Sequence, residues 1–393
     1  MSAPPPGAVG LPLSRLHLPL LDGIRGIAIL LVIPRNAGLL LDLPGHWHGA
    51  PFLARELMQF GWAGVQLFFA LSGFLISGAL LDTRAAPNYY ASFYERRALR
   101  ILPLYFGVLA VTFLVLAPLR ALPQELLAAR AHQLWLWVFL SNWTDPLGLG
   151  VPGFTHFWSL AVEWQFYLLW PLIVRRLDAR RLLSVALAIA LASFAVRIAM
   201  RAAGCPAEWV YEFTFCRMDA LALGGAAAAL LRMPGWEMRL RRYSARLPWF
   251  IIAVMLAGAP LTRGYPDSGL LTQTAGMSLL AITFAALVLY GALAGADASG
   301  WAGRFLALPP LRSVGKYSYA MYVFHYPLHR FVGLPLIARL APHPGVLVAL
   351  AYVACVTLVC YGLALASWTV LESRCLRLRR YAGAGRLSEA AVS

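Results

Sequence analysis

The chain has 393 residues, of which 60% are hydrophobic and 13% charged. Soluble domains carry about a quarter charged residues, so composition excludes an ordinary soluble globule. The net charge of +16 comes almost wholly from arginine, with Lys316 the single lysine. That pattern fits the cytoplasmic loops of a membrane protein rather than a nucleic-acid surface, and no nucleic-acid partner is expected.

The apolar stretches are long and recur along the whole chain, unlike the short alternating segments of a β-barrel. They predict an all-α, polytopic integral membrane protein lying in a lipid bilayer. Met1–His17 is Pro-rich and has no apolar core of its own, which predicts a cytoplasmic tail over residues 1–20 rather than a cleaved signal. The first span is expected at about 22–41 and opens on LDGIRGIAILLVIPRN. A loop with His46, His48 and Arg55 follows, then spans at about 59–81 and 101–119. The apolar piece His132–Asn142 is too short to cross a bilayer. A long helix is expected from His156 to the basic knot at Arg175, Arg176, Arg180 and Arg181. Further spans fall at about 182–200, 210–231, 247–262 and 270–294. Segment 316–340 contains Pro327 and Pro335 and should be kinked or broken, and the last span is expected at about 345–370. Cys205, Cys216, Cys355, Cys360 and Cys375 form no CxxC pair and no metal-ligand spacing, so they are expected as packing residues and no metal is expected.

Loop charge sets the expected topology. Loops 83–100, 175–181 and 232–246 and the tail at 373–393, with Arg374, Arg377, Arg379, Arg380 and Arg386, are Arg-rich and belong in the cytoplasm. They all fall on one side only if 132–142 stays re-entrant or on the outer surface. The result is about ten transmembrane helices within residues 21–372 and both termini cytoplasmic. Arg55, Arg120, Arg130, Arg201, Arg263 and Arg339 are then scattered singly outside.

Four polar groups interrupt these spans. Asp22, Arg25 and Asn36 share a face of the first helix, since eleven residues are about three turns. A buried ion pair that fixes packing explains them as well as a site does. In FYERRALRILPLY, Arg100 lies four residues from Arg96 and three from Arg97, so the three can line one face, with Tyr105 beyond them. They read either as membrane anchors or as a phosphate clamp, for which the planar guanidinium fork is suited. In HFWSLAVEWQFYLLWP, His156 and Glu163 stand two turns apart, with Ser159 and Tyr167 near the same face, a pattern able to move protons. In GKYSYAMYVFHYP, Ser318, Tyr322, His325 and His329 form one stripe, equally readable as a bonded helix interface. Arg217 and Asp219 are two residues apart, face different ways, and each need a partner on another helix. Asn36, Glu163, Asp219 and His325 lie roughly 10–21 Å into their spans at the helical rise. Several ionisable groups at that depth point to a central polar cavity, and hence to a reaction or a transported solute.

In these residues the chain resembles acyltransferase family 3, the bacterial integral-membrane O-acyltransferases that modify glycans. The resemblance is an ordered series: LDGIRGIAILLV, GVQLFFALSGFLIS, FYERRALRILPLY, HFWSLAVEWQFYLLWP, RMDALALGG, VGKYSYAMYVFHYPL and WTVLESRCL with Glu372. It implies a membrane acyltransferase domain over 21–372 in the bacterial inner membrane. It implies an acyl group, usually acetyl, taken from acyl-coenzyme A as donor substrate, with no permanently bound cofactor. The acceptor is a hydroxyl of a glycan or small molecule. On this reading Arg25, Arg96, Arg97, Arg100 and Tyr105 hold the donor. Position 36, His156, Glu163 and His325 carry the chemistry, and Asp22, Ser159, Arg217, Asp219, Ser318 and Tyr322 complete a polar cavity. The chain departs from the family twice. The resemblance implies a His after ten intervening residues beyond Arg25, where this chain has Asn36, and Gln66 replaces a common acidic residue. Asn cannot act as a general base, so either another residue supplies the base or the chain is impaired. A transporter of a small solute or lipid-linked sugar is the alternative outside this family.

Overall fold

In hydrocarbon, backbone N–H and C=O groups must be paired within their own segment, so apolar runs of this length fold as helices. The computed structural model describes residues 18–43, 48–119, 123–294 and 300–379, and no strand occurs among them. The expected tail over 1–17, and His46, Arg120, Arg380 and Arg386, lie outside the described residues.

Helix α1 runs Pro19–Ala37, starting on a proline and followed by a 3₁₀ turn at Leu39–Leu41. Helix α2, Gly49–Phe60, occupies what the pattern predicts as loop, and it exposes Phe52, Leu53 and Leu57 along its surface. Helix α3 is Ala63–Asp82. Helix α4, Tyr89–Ala110, continues through a π-helical stretch Val111–Leu116. It begins twelve residues earlier than the apolar pattern alone predicts, so Arg96, Arg97 and Arg100 sit on helix and not in a loop. Three short helices follow, α5 (Gln124–Ala129), α6 (Leu134–Trp137) and α7 (Ser141–Thr144), and none is long enough to cross. Helices α8 (Trp158–Arg176), α9 (Ala179–Ala202), α10 (Ala207–Glu212) and α11 (Thr214–Leu230) come next. They lead to α12 (Trp236–Tyr243), α13 (Leu247–Thr262), α14 (Met277–Ala294) and α15 (Trp301–Leu306). The segment with the two prolines is broken, as expected, into α16 (Pro309–Lys316), α17 (Ser318–Leu328), a π turn at His329–Gly333 and α18 (Leu334–Leu340). Helix α19, Val346–Ser367, closes the bundle.

Eight helical stretches among the described residues are long and apolar enough to cross a membrane. Helix α1 is of similar length but carries three charges, Asp22, Arg25 and Arg35. Neither α1 nor the broken α16–α18 segment is among those eight, and the loop-charge expectation of ten spans counts both.

Helix α11 packs against α3, α9 and α14 at the centre. The α3–α11 crossing depends on two glycines. A Cβ on Gly73 would lie 1.9 Å from the Leu221 carbonyl oxygen, and one on Gly224 would lie 2.1 Å from that of Ala70. Small residues bring backbones this close where no hydrophobic force acts between helices in lipid. Two arginine–carboxylate pairs add ties. Arg232 holds Asp82 through two contacts of 2.7 and 2.9 Å, and Arg197 meets Asp219 at 2.8 Å with both side chains fully buried.

Candidate active site

Two polar chambers, not one central cavity, lie between α1, α3, α8 and α17. The first has a volume of about 110 Å³. Its charged lining is Arg25 from α1, Arg97 and Arg100 from α4, and Glu163 from α8, with Ser72, Ser159, Tyr167, Ser318, Tyr319 and Tyr322 between them. It lies toward the end of the bundle where α1, α4 and α17 begin and where Arg175 and Arg176 end α8. Arg25 Nη1 donates to Asp22 Oδ1 at 3.0 Å, one turn back on the same helix. Glu163 accepts from the Ser72 hydroxyl, and the Tyr167 hydroxyl donates to Ser72 Oγ at 3.3 Å. Three guanidiniums and one carboxylate therefore face a small, partly apolar space.

The second chamber, about 160 Å³, lies toward the opposite end, where α1 finishes and α8 starts. Arg35, Asn36, His156, Tyr211, Glu212, Asp267 and Tyr326 line it. Arg35 Nη2 contacts Asp267 Oδ2 at 2.7 Å. His325 stands behind Asn36. Its Nδ1–H donates to the Tyr322 carbonyl at 2.6 Å, which leaves Nε2 to accept from the Asn36 side-chain N–H at 2.9 Å. A 3₁₀ turn, Thr155–Phe157, feeds α8 and presents His156, whose ring centroid is 4.8 Å from that of His325. Val65 and Tyr322 line both chambers and so form the partition between them. The Tyr322 hydroxyl lies 2.5 Å from Ser159 Oγ and donates to the His156 carbonyl at 3.0 Å, which fixes α17 against the start of α8.

The residues singled out from sequence divide accordingly. Arg25, Arg97, Arg100, Ser159, Glu163, Ser318 and Tyr322 meet at the first chamber, and Asp22 supports it by holding Arg25. Asn36 and His156 line the second, with Tyr322 shared and His325 bonded to Asn36. Five of the residues singled out belong to neither. Arg96 turns from the Arg97–Arg100 face because its guanidinium donates to Ser92 one turn back. Tyr105 is fully buried, stacks between Phe139 and Phe157 at 4.4 and 4.7 Å, and donates its hydroxyl to the Leu136 carbonyl at 2.8 Å, so it packs the core. Arg217 is caged by the rings of Phe69, Trp158 and Tyr211 at 5.0–5.8 Å. Asp219 is taken by Arg197, with Gln66 Nε2 at 3.4 Å. His329 Nδ1 pairs with the Tyr352 hydroxyl at 2.8 Å, away from both chambers. Sequence patterns do not single out Ser72, Glu212 or Asp267, which stand alone in their segments. Arg35 points off the Arg25 face as helical geometry requires, and its partner is 232 residues away.

The family described as an acyltransferase domain matches residues 18–365. The O-acetyltransferase OatA of Staphylococcus aureus is 26% identical over 335 residues, covering 80% of this chain and 51% of that protein. The peptidoglycan O-acetyltransferase OatA of Listeria monocytogenes is 27% identical over 345 residues, covering 80% and 50%. The chain spans about half the length of these curated relatives. No solved structure matches it.

Proposed function

We propose a function on one premise: the chain belongs to the acyltransferase domain family that matches residues 18–365. It is a membrane O-acyltransferase that moves an acyl group, acetyl by analogy with OatA, from acyl-coenzyme A to a hydroxyl of a carbohydrate-type acceptor. Peptidoglycan, which the Listeria relative is named for, is one such acceptor. The chain works in the bacterial inner membrane with both termini cytoplasmic, and the donor is a substrate rather than a resident cofactor.

The observation that carries this reading is the first chamber. Coenzyme A brings several phosphate charges and a long, thin pantetheine arm ending in a thioester. Arg25, Arg97 and Arg100 gather at the chamber on the end of the bundle rich in arginine, which the positive-inside rule assigns to the cytoplasm. Guanidiniums bind phosphate through charge-assisted bonds. The apolar part of the lining, Phe68, Leu71, Leu75 and Leu160, suits the arm. Beyond it Ser159 and Tyr322 close the chamber, their hydroxyls bonded to each other and to the His156 carbonyl.

The test is transfer of a labelled acetyl group from acetyl-coenzyme A to soluble glycan fragments by the full chain purified in detergent. Transfer without a sealed vesicle is expected, and that result also excludes a transporter. Absence of both transfer and saturable coenzyme A binding would overturn the proposal.

A further inference from the structure

We propose that the second chamber is the acceptor site, that it takes an uncharged polyol the size of one sugar ring, and that His156 removes the proton from the reacting hydroxyl. The inference rests on the acyltransferase reading and assigns a substrate class and a base to it.

The two chambers differ in charge. The first sets three guanidiniums against one carboxylate in its lining, which suits an anion. In the second, Arg35 is matched by Asp267 at 2.7 Å, and Glu212 adds another carboxylate with Oε2 left without a hydrogen-bond partner among the described residues. Such a lining offers phosphate no unmatched cation and presents acceptors to hydroxyls. Tyr326 supplies an aromatic face, the usual companion of a polar site in ligand pockets. At about 160 Å³ the space is on the scale of a single ring and excludes a folded oligosaccharide.

His156 supplies a second, independent sign of a ligand. It is only 6% exposed, lines this chamber, and neither ring nitrogen has a hydrogen-bond partner among the described residues. The backbone of Tyr322 and Val323 passes near the ring without hydrogen-bond geometry. Buried polar groups are paired as a rule, so two orphaned nitrogens on a residue that lines a cavity call for a polar partner there. The groups on α1 and α17 beside this chamber are not available as the base. Both nitrogens of His325 are used, by Tyr322 and Asn36; Asn36 does not titrate; and Arg35 stays protonated.

The step balances without a further reactant. The acceptor oxygen forms a bond to the thioester carbonyl carbon presented past Tyr322 while its proton passes to an unprotonated His156 nitrogen. The carbon–sulfur bond then breaks, and the leaving thiolate of coenzyme A recovers that proton from the imidazolium. The products are the ester and free coenzyme A.

The experiment uses the full chain in detergent, labelled acetyl-coenzyme A, and two uncharged probes, methyl β-glucopyranoside and its 2-acetamido analogue. The wild-type chain should acetylate at least one probe. His156→Gln should lower kcat by about 100- to 10⁴-fold with acceptor KM and coenzyme A Kd within about threefold. Glu212→Gln should raise acceptor KM by about tenfold with coenzyme A Kd unchanged. Retained kcat in His156→Gln, or an unchanged acceptor KM in Glu212→Gln, would overturn the inference. So would a wild-type chain that binds coenzyme A yet acetylates neither probe, and the donor reading would then stand. Loss of coenzyme A binding by the wild-type chain would instead strike the donor reading itself. Should a variant fail to fold, carbethoxylation of His156 in the wild-type chain, read by peptide mass spectrometry, gives a second measure. Excess methyl glucoside should slow it, and no protection by either probe overturns the inference.

Discussion

Replacing Arg100 with alanine should weaken coenzyme A binding by about 10- to 150-fold. Arg100 lies on α4 one turn from Arg97, and the two share the first chamber with Arg25. A hydrogen bond to a charged group contributes about 1.5–3 kcal/mol, and about 1.4 kcal/mol is a tenfold change in Kd, which gives that range. Arg25, which Asp22 engages at 3.0 Å, shares the chamber, and Arg25→Ala should weaken donor binding as well. Lysine at position 100 keeps the charge but loses the planar fork, and should recover only part of the loss. Arg96 gives an internal comparison on the same helix. Its guanidinium is spent on Ser92, so Arg96→Ala should shift Kd by no more than about threefold. Titration calorimetry on the full chain in detergent, repeated at raised salt, measures all four. An Arg100→Ala protein that keeps wild-type affinity, or an Arg96→Ala protein equally damaged, refutes the assignment of the donor chamber.

Three further outcomes are expected. Asn36→His should change kcat by less than about tenfold, because the proton is assigned to His156; a gain of a hundredfold or more in the same transfer assay would return that role to α1. Arg197→Met should destabilise the fold by about 3–5 kcal/mol, because it strands the buried Asp219, whereas Arg197→Met with Asp219→Leu should recover most of the loss; thermal unfolding of single and double variants in detergent decides, and equal melting temperatures would refute it. Burial pushes the Asp145 carboxyl from its usual 3.8 up to about 7. Between those values the unfolded chain binds fewer protons than the folded one, so stability should fall as pH rises through that window. Asp145→Asn should flatten the difference in melting temperature between about pH 5 and about pH 8, and an unchanged difference would refute the assignment.

The spans were legible because an apolar run long enough to cross a bilayer has few other folds open to it. Local pairs were legible too: Asp22 and Arg25 are one turn apart and they bond. Long-range partners were not. The bond from Asn36 to His325 joins residues 289 apart, and nothing in either segment names the other. Polarity inside a span also does not separate a cavity from a satisfied contact. Glu163 and Asp219 look alike in sequence, yet Glu163 faces a chamber while Asp219 is taken by Arg197 of α9. Arg96 and Tyr105 failed for nearer reasons, a serine one turn back and two stacked rings. The helical repeat predicted His156 and Glu163 on one helix face, but His156 stands on the 3₁₀ turn before α8 and the two open into different spaces.

That division follows from helix rise. Seven residues at 1.5 Å per residue separate His156 from Glu163 by about 10 Å along α8. The helices α8 and α17 cross the bundle in opposite senses, one starting where the other's segment ends, so their polar residues match level by level. Ser159 meets Tyr322 at 2.5 Å in the middle, with Glu163 and Ser318 in the chamber on one side and His156 beside His325 on the other. A thioester held among the arginines can reach an acceptor hydroxyl only past this rung. On the proposed assignment, the partition would keep the acceptor away from the arginines of the first chamber. On the same assignment the reaction needs no titrating ring at position 36: Asn36 supplies none to its wall of the second chamber, but His156 lines the same space with neither ring nitrogen hydrogen-bonded among the described residues.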